Sequence, residues 1–371
     1  MNVSAPMRPM KKWIFGALAV MLGTGLALFL AEAVLQLLYG PVAHEITNAD
    51  PILHHFSGNN PDTNAFGFYD REYPAPKPPG RRRIMVLGDS LVRRTFHEKN
   101  FTKILEQKLR AAPGYEGAEV WNCGIDSYSP GLCYLLLKHK LLRLDPDRVV
   151  VCVFLGNDFN DDAVYQSQMV LDERGRPERC PPDAPSSEAR LVTGQIPIPF
   201  KNFFRYHSRL YRELSRGYNT LLHGLRLREG GWEKAEIGPD QTAPIGTLTV
   251  TIRDEVFEIL ARNLVFTDEL LRERGIPWLV MLIPLNVEVS REVEGGERLD
   301  SYSEEGIRTA DRNLEKLAAF LKEKGIAVLN LLPAFKAHEP PLYTLDSHFN
   351  EAGHNLAADL LFEKLTGKQD E

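Results

Sequence analysis

Five short apolar runs, separated by amphipathic stretches, constrain the fold of this chain more than any other feature. The amphipathic stretches repeat apolar residues at helical spacing, and two of them are followed by the typical helix stops Gly275 and Gly325. Alternating strands and helices require right-handed crossovers. We therefore predict an α/β fold: a three-layer αβα, flavodoxin-like structure with a mostly parallel five-stranded sheet. The predicted strands lie at 82–87, 118–124, 148–156, 276–284 and 326–331, and the predicted helices at 98–111, 131–143, 254–274, 303–324 and 351–366.

Polar residues follow several of these strands directly. Because parallel sheets bind ligands at the carboxyl ends of their strands, these residues are the first candidates for function. A serine hydroxyl needs a neighbouring base to become an effective nucleophile, and a histidine oriented by a carboxylate can be that base. A glycine N–H and an asparagine amide can donate to the oxyanion that forms. The ordered set that predicts acyl transfer is Ser90, Gly124, Asn157, Asp346 and His348.

Four sequence blocks carry a family resemblance. VLGDSL, NCGIDSYS, LGNDFND and DSHFNEAGH resemble, in order and spacing, the blocks of the SGNH/GDSL hydrolase superfamily, over about residues 65–366. The resemblance implies that Ser90 is the nucleophile, that His348 is the general base and that Asp346 orients His348. It also implies an oxyanion hole made of the Ser90 N–H, the Gly124 N–H and the Asn157 amide. No cofactor and no metal is implied.

Each of these residue types also has an ordinary structural role. The alternatives are a helix N-cap for Ser90, a turn glycine at Gly124, a capping residue at Asn157, a turn residue at Asp346 and a surface histidine at His348. These alternatives are compatible with a functional role at the same position.

Further acidic and histidine residues near the blocks receive no functional role. Asp158, Asp161 and Asp162 invite a metal-binding interpretation, but acidic residues are common at helix starts. His97 and His354 are interpreted as ordinary structural or surface residues.

Two features depart from the superfamily pattern. Many members space the last block Asp-x-x-His, whereas this chain has Asp346-Ser347-His348. A similar Asp-x-His spacing occurs in SGNH-type O-acetyltransferases of exported polysaccharides. Arg93 and Arg94 stand where many relatives carry small or aromatic residues. We hypothesise that one of them lines the cleft and favours an anionic substrate; the alternative is a solvated helix face.

The N-terminal region predicts a membrane anchor. Residues 13–31 contain no charged residue, and about 20 apolar residues span the hydrocarbon core of a bilayer. Arg8, Lys11 and Lys12 precede the run, so the positive-inside tendency predicts a cytoplasmic N-terminus and an exported remainder. The alternatives are a signal peptide cleaved near residues 31–33 and a buried core helix. The length of the apolar run favours the anchor.

The predicted organisation has three parts. Residues 1–40 form a cytoplasmic stub and a transmembrane signal-anchor, and the Pro-rich residues 41–80 form an extended lead-in. Residues 81–371 form the SGNH hydrolase domain, with an insertion at 163–248. The insertion is either a lid over the strand ends or a passive surface excursion.

Charge and cysteine content exclude two classes of protein. The formal net charge of −6 gives no overall basic field for nucleic acid. The four cysteines form no Cys-x-x-Cys pair, so no zinc-like spacing occurs. Cys152 lies in an apolar run and is predicted to be a buried thiol. An even count in an exported chain also permits disulfides, without fixing their pairing.

Three functions follow from these observations. The first is an extracytoplasmic serine esterase that hydrolyses an O-acyl ester, with acetyl as the expected group, on a glycan. The second is an O-acyltransferase that modifies a cell-envelope polysaccharide. The third is a non-catalytic carbohydrate-binding protein with the SGNH fold. A chain with one predicted span needs a partner to supply an acyl donor, whereas a hydrolase needs only water, which favours the esterase.

Overall fold

The computed structural model describes most of the chain outside the predicted insertion. The described residues are 9–39, 48–56, 63–93, 99–181, 208, 210–211, 214, 252–296, 299, 303–339, 341–344 and 347–367. Arg94, His97 and Asp346 lie outside them, as does most of the insertion at 163–248. The chain divides into two compact units, one with Met1–Ile46 and Ile196–Gly231, the other with Thr47–Gln195 and Trp232–Glu371.

The first unit contains the apolar N-terminal helix. Helix α1 spans Pro9–Tyr39, and its segment Leu18–Leu38 is long and apolar enough to cross a membrane, by length and composition. Among the described residues it is the one helix that meets both criteria. The carboxylate of Glu32 accepts hydrogen bonds from the Ser208 hydroxyl (2.7 Å) and the Leu210 N–H (2.9 Å). These bonds, together with one from the Gln36 amide, give the Glu32 carboxylate polar partners within the apolar segment.

The second unit is built on a parallel sheet. A short antiparallel pair, β1 (Asn48–Asp50) and β2 (His54–Phe56), precedes it. The sheet strands are β3 (Arg82–Gly88), β4 (Ala118–Gly124), β5 (Arg148–Phe154), β8 (Trp278–Ile283) and β9 (Ala327–Asn330), and a hairpin of β6 (Val170–Leu171) and β7 (Pro177–Arg179) interrupts the series. The strand order is β4-β3-β5-β8-β9, with every pair parallel. The predicted five-stranded parallel sheet is confirmed.

Helices connect the strands. They are α2 (Ser90–Arg93), α3 (Phe101–Arg110), α4 (Pro130–Leu136), α5 (Asp158–Gln166), α6 (Asp254–Arg272), α7 (Asn286–Val289), α8 (Glu304–Glu323), α9 (Leu332–Lys336) and α10 (Glu351–Thr366). Helix α4 continues into a π turn and a 3₁₀ turn that end at Leu144. Several starts are capped as expected: the side chains of Asn100, Ser303 and Asn350 accept backbone N–H groups of their own helices.

Helices cover both faces of the sheet, which confirms the three-layer prediction. Side chains alternate along β3, so Ile84 and Val86 face one core, which α3 and α10 complete. Met85 and Leu87 face the other core, which contains buried side chains of α4, α6 and α8. The described residues before the sheet add to the core as well, since Leu53, Phe56, Phe68 and Tyr73 are buried in it.

Candidate active site

The sheet brings three of the predicted site residues to one edge. Gly88, the last residue of β3, pairs with Gly124 at the end of β4, and Leu87 pairs with Val151 of β5. Ser90 begins α2 two residues after β3, and Asn157 follows β5 directly before α5. Because β3 lies between β4 and β5, their carboxyl ends meet where ligands bind in sheets of this kind.

The fourth residue reaches this edge from a loop. The Nε2 atom of His348 lies 2.9 Å from the Ser90 hydroxyl oxygen, which is hydrogen-bond distance for a nucleophile and its base. The loop is ordered by a turn in which the Thr344 N–H donates to the His348 carbonyl (2.8 Å). Ser347 adopts a left-handed conformation (φ 65°) in this turn. Ser90 and His348, which were predicted to act together, are thus within hydrogen-bond distance. Asp346 lies outside the described residues, so its role stays a prediction.

Close packing under Ser90 requires a glycine at position 88. Gly88 has φ 156°, and a Cβ there would lie 2.7 Å from the Val92 side chain and 3.0 Å from the Cys152 Cβ. Beside it, one Asp89 carboxylate oxygen accepts the Leu91 N–H at 2.9 Å. Burial, followed by the charges of nearby carboxylates, raises the pKa of Asp89 to about 7. The strand-to-helix turn that presents Ser90 is therefore tightly packed and contains a carboxyl group that burial favours in its neutral form.

Gly124 packs directly against the nucleophile helix. A Cβ at this position would lie 2.4 Å from the backbone nitrogen of Arg93 and 2.8 Å from the Val92 Cβ. The Gly124 N–H donates to the Asn122 side-chain oxygen at 3.1 Å, and the Asn122 amide donates to the Val92 carbonyl at 2.8 Å. Gly124 is therefore needed for the approach of β4 to α2. Its implied role as an oxyanion donor stays a prediction, and an oxyanion would compete there with the Asn122 oxygen.

Asn157 is held by the helix that follows it. Its side chain is buried, and its Nδ2 atom donates to a carboxylate oxygen of Asp161 at 2.8 Å. The amide oxygen of Asn157 is buried and has no hydrogen-bond partner among the described residues. One N–H of the amide is thus committed to Asp161. The second N–H is the one that could serve the predicted oxyanion hole.

The acidic residues around Asn157 make structural hydrogen bonds. Asp158 accepts the Phe154 N–H at 2.9 Å, and burial raises the pKa of its carboxyl group. Asp162 is fully buried and accepts hydrogen bonds from Ser129 Oγ (2.6 Å), Gly131 N (2.8 Å) and Asn263 Nδ2 (2.8 Å). In the part of the chain that the structure describes, no three His, Cys, Asp or Glu side chains are arranged to hold a metal ion.

Arg93 is already paired. Its guanidinium forms an ion pair with Asp126, and it lies 4.0 Å from the centre of the Tyr69 ring. The Arg93 side chain is about a quarter exposed, at 27%. Since Asp126 compensates its charge, Arg93 gives little support to the hypothesis of an anionic substrate, and Arg94 lies outside the described residues.

His354 and the cysteines are core residues. His354 is buried, its Nδ1 atom accepts the Phe101 N–H at 3.3 Å, and its ring packs on Phe101 and Phe349. Burial, followed by the charge of His348, lowers the pKa of His354 to about 4. All four cysteines are free and buried, as predicted for Cys152.

The sequence did not indicate the roles of two residues that support the site, Asn122 and Asp161. Asn122 stands in a recognised block, but nothing in the spacing indicated that its side chain bridges β4 and α2. Asp161 lies four residues after Asn157, so helical spacing places both on one face. That spacing could have identified Asp161 as a partner of the asparagine.

The family comparison covers the last of the four sequence blocks. Residues 254–370 match a family model described as "SGNH hydrolase-like domain, acetyltransferase AlgX". This range includes His348, while Ser90, Gly124 and Asn157 precede it. The predicted relation to the SGNH superfamily is confirmed. No curated protein matches the sequence.

Solved structures of ester-cleaving and related enzymes are similar to the chain. One is the acetyl xylan esterase AlAXEase (13% identity, TM-score 0.43, covering 76% of this chain and 99% of that one). A second is a catalytic mutant of the acetylxylan esterase Axe2 from Geobacillus stearothermophilus (14%, 0.40, 76% and 94%). A third is LAE5, an alpha/beta hydrolase from the metagenome of Lake Arreo, Spain (13%, 0.40, 77% and 95%).

Proposed function

We propose that this chain, which is related to the SGNH hydrolase superfamily, is a serine esterase that removes an O-acyl group, acetyl in the first place, from a glycan. The observation that carries this proposal is the 2.9 Å contact between His348 Nε2 and the Ser90 hydroxyl at the first residue of α2. A histidine at this distance can accept the serine proton as the serine attacks an ester.

The proposed reaction has two steps with one covalent intermediate. Ser90 Oγ attacks the ester carbonyl carbon while His348 takes the serine proton. The oxyanion of the tetrahedral intermediate accepts hydrogen bonds from the N–H groups of Ser90, Gly124 and Asn157. The first N–H groups of a helix have no partner within the helix, which suits Ser90 for this task. Collapse of the intermediate expels the sugar alcohol, protonated by His348, and leaves acyl-Ser90. Water, deprotonated by His348, then releases the carboxylic acid and restores the serine.

A groove at the start of α10 offers several polar side chains to a sugar, although neither Ser90 nor His348 lines it. It has a volume of about 550 Å³ and lies at the start of α10, two residues beyond His348 in the chain. Carboxylates and amides suit the hydroxyl groups of a sugar, since they can accept or donate hydrogen bonds. The polar side chains that line the groove are Glu292, Glu294, Asn350, Glu351 and Asn355.

Transfer of the acyl group to a polysaccharide is the second candidate. The matched family model carries the description of an acetyltransferase, and the Asp346-Ser347-His348 spacing points the same way. Both candidates share acyl-Ser90 and differ in whether water or a sugar hydroxyl attacks it. Transfer would require an acyl donor from a partner, because the one candidate span among the described residues is too little to carry a donor across a membrane.

The cellular placement is part of the proposal. The segment Leu18–Leu38 anchors the chain, and the basic residues before it keep the N-terminus in the cytoplasm. The catalytic unit would then stand outside the cytoplasmic membrane, in the periplasm or extracellular space, near envelope polymers. Such a placement suits a glycan substrate.

The test uses the full-length chain in detergent with p-nitrophenyl acetate. We expect turnover that Ser90→Ala reduces at least about 1,000-fold, while Ser167→Ala, a matched change at an exposed serine, leaves the rate unchanged. A glycan acceptor is added in parallel, and acylated sugar would favour transfer over hydrolysis. Absent turnover together with absent labelling by a fluorophosphonate probe would contradict the proposal and favour a carbohydrate-binding protein.

A further inference from the structure

The amide of Asn157 has a defined orientation. Its nitrogen lies 2.8 Å from the Asp161 carboxylate, whereas its oxygen has no partner among the described residues. A buried amide oxygen without a donor is unfavourable, so something must hold the amide in this orientation. Asp161 does so, because a carboxylate oxygen accepts an N–H and repels an amide oxygen.

The reverse orientation would harm catalysis as well. Turning the amide over would place its oxygen where the nitrogen now lies, facing the Asp161 carboxylate. A developing oxyanion at Ser90 would then meet the Asn157 oxygen in place of an N–H. The orientation that satisfies Asp161 is therefore the same one that keeps a second N–H available for an oxyanion.

We infer that Asp161 is a positioning residue, whose carboxylate fixes the Asn157 amide with its nitrogen toward the reacting ester. This inference rests on the proposed esterase function. Asp161 acts through Asn157 and has no contact with the substrate in this scheme. It is fully buried on the first turn of α5, and its backbone N–H also donates to the Asn157 carbonyl at 2.8 Å.

The adjacent aspartate provides the contrast. Asp162 is equally buried, but its hydrogen bonds go to Ser129, Gly131 and Asn263, which join α5 to α4 and α6. The Asp161 carboxylate accepts the Asn157 amide N–H at 2.8 Å and, at a longer 3.4 Å, that of Asn160. Asp162 therefore stabilises the packing of helices, and Asp161 serves the asparagine of the site.

The test is a double-mutant cycle on the full-length chain in detergent, with p-nitrophenyl acetate as substrate. We expect Asn157→Ala to lower kcat about 100-fold, as for the loss of one oxyanion donor. Asp161→Ala should lower kcat at least about 10-fold with KM changed less than about 2-fold, because the lost interaction forms only in the transition state. In the double variant the Asp161→Ala loss should vanish, since there is no amide left to orient.

Rescue and control variants separate this role from a structural one. Asp161→Asn retains an acceptor oxygen and should recover most of the activity. Asp161→Leu keeps the branched shape of the side chain without an acceptor, and it replaces Asp161→Ala if the latter does not fold. Asp162→Ala should lower the melting temperature. If it also lowers kcat, the fold-loss in the Asp162→Ala, Asn157→Ala double variant should be the product of the two single losses.

Two outcomes would overturn the inference and are distinguishable. Losses from Asp161→Ala and Asn157→Ala that multiply, in a chain whose Ser90→Ala variant is inactive, would remove the positioning role and leave the esterase proposal intact. Turnover that survives Ser90→Ala would remove the esterase proposal and this inference with it.

Discussion

Ser90, Gly124 and Asn157 stand at the ends of adjacent strands, whereas His348 stands on the loop between α9 and α10. On the strand side, glycine allows backbone contact: a Cβ on Gly124 would lie 2.4 Å from the Arg93 nitrogen. On the loop side, hydrogen bonds hold the chain, such as that from Asn350 Nδ2 to the Pro341 carbonyl at 2.7 Å. Packing positions Ser90, and polar contacts position the loop that carries His348, so substitutions on the two sides should have different effects.

The largest effect is expected on the strand side, from Gly124→Ala. The new methyl group would force β4 and α2 apart, with a loss of unfolding free energy on the order of 3 kcal/mol and a fall in esterase activity of at least about 100-fold. Thermal unfolding and p-nitrophenyl acetate turnover would measure the two losses. Gly114→Ala is the control, because Gly114 has φ 81° but no atom lies within 4 Å of an added Cβ. The Gly114→Ala variant should lose about 1 kcal/mol of unfolding free energy and no activity. Equal behaviour of the two variants would contradict the packing argument.

The same contrast explains what the sequence could predict. Strands and helices follow from local apolar periodicity, so the five-stranded parallel sheet was predictable from the sequence. The four blocks placed Ser90, Gly124 and Asn157 after strand ends and His348 beyond the last strand. The pairing of Arg93 with Asp126 joins residues 33 positions apart and depends on how α2 lies over β4. Local patterns carry no information of that kind. The same holds for His354, whose place in the core depends on packing with α3, and for the bridging side chain of Asn122.

A second, smaller difference concerns pH. On the strand side, burial raises the pKa of Asp89 from 3.8 to about 7, so the folded state favours the neutral carboxyl and loses stability as pH rises across that range. In α10, which follows the loop, burial lowers the pKa of His354 from 6.5 to about 4, so the folded state loses stability as pH falls across that range. Between about pH 4 and 6.5 the two contributions oppose each other.

Replacing one of the two titrating groups should reveal the pH dependence of stability that the other contributes. Asp89→Asn, which keeps an acceptor for the Leu91 N–H, should make stability rise more steeply with pH between 4 and 6.5. His354→Asn should make it fall more steeply between 4 and 7. We expect changes on the order of 1–3 kcal/mol across each range, measured by urea unfolding at several pH values. Parallel curves for parent and variants would show that neither group titrates in these ranges.

The smallest effect tests whether the loop side serves activity or only stability. Asn350 caps α10 by accepting the Gly353 N–H at 3.0 Å, and it also holds the loop through Pro341. Asn350→Ala should cost about 1 kcal/mol of unfolding free energy, as for the loss of a helix cap, and should lower kcat by about 3- to 10-fold because His348 loses a support. Ser303→Ala is the matched control, since Ser303 caps α8, which does not follow this loop, by accepting the Gly306 N–H at 3.1 Å. Equal stability losses with a kcat effect in Asn350→Ala alone would show that polar contacts of the loop position the base. If both variants kept full kcat, the contact between His348 and Ser90 would have to be maintained by other residues of the loop, and the contrast between the two sides would be one of folding rather than of catalysis.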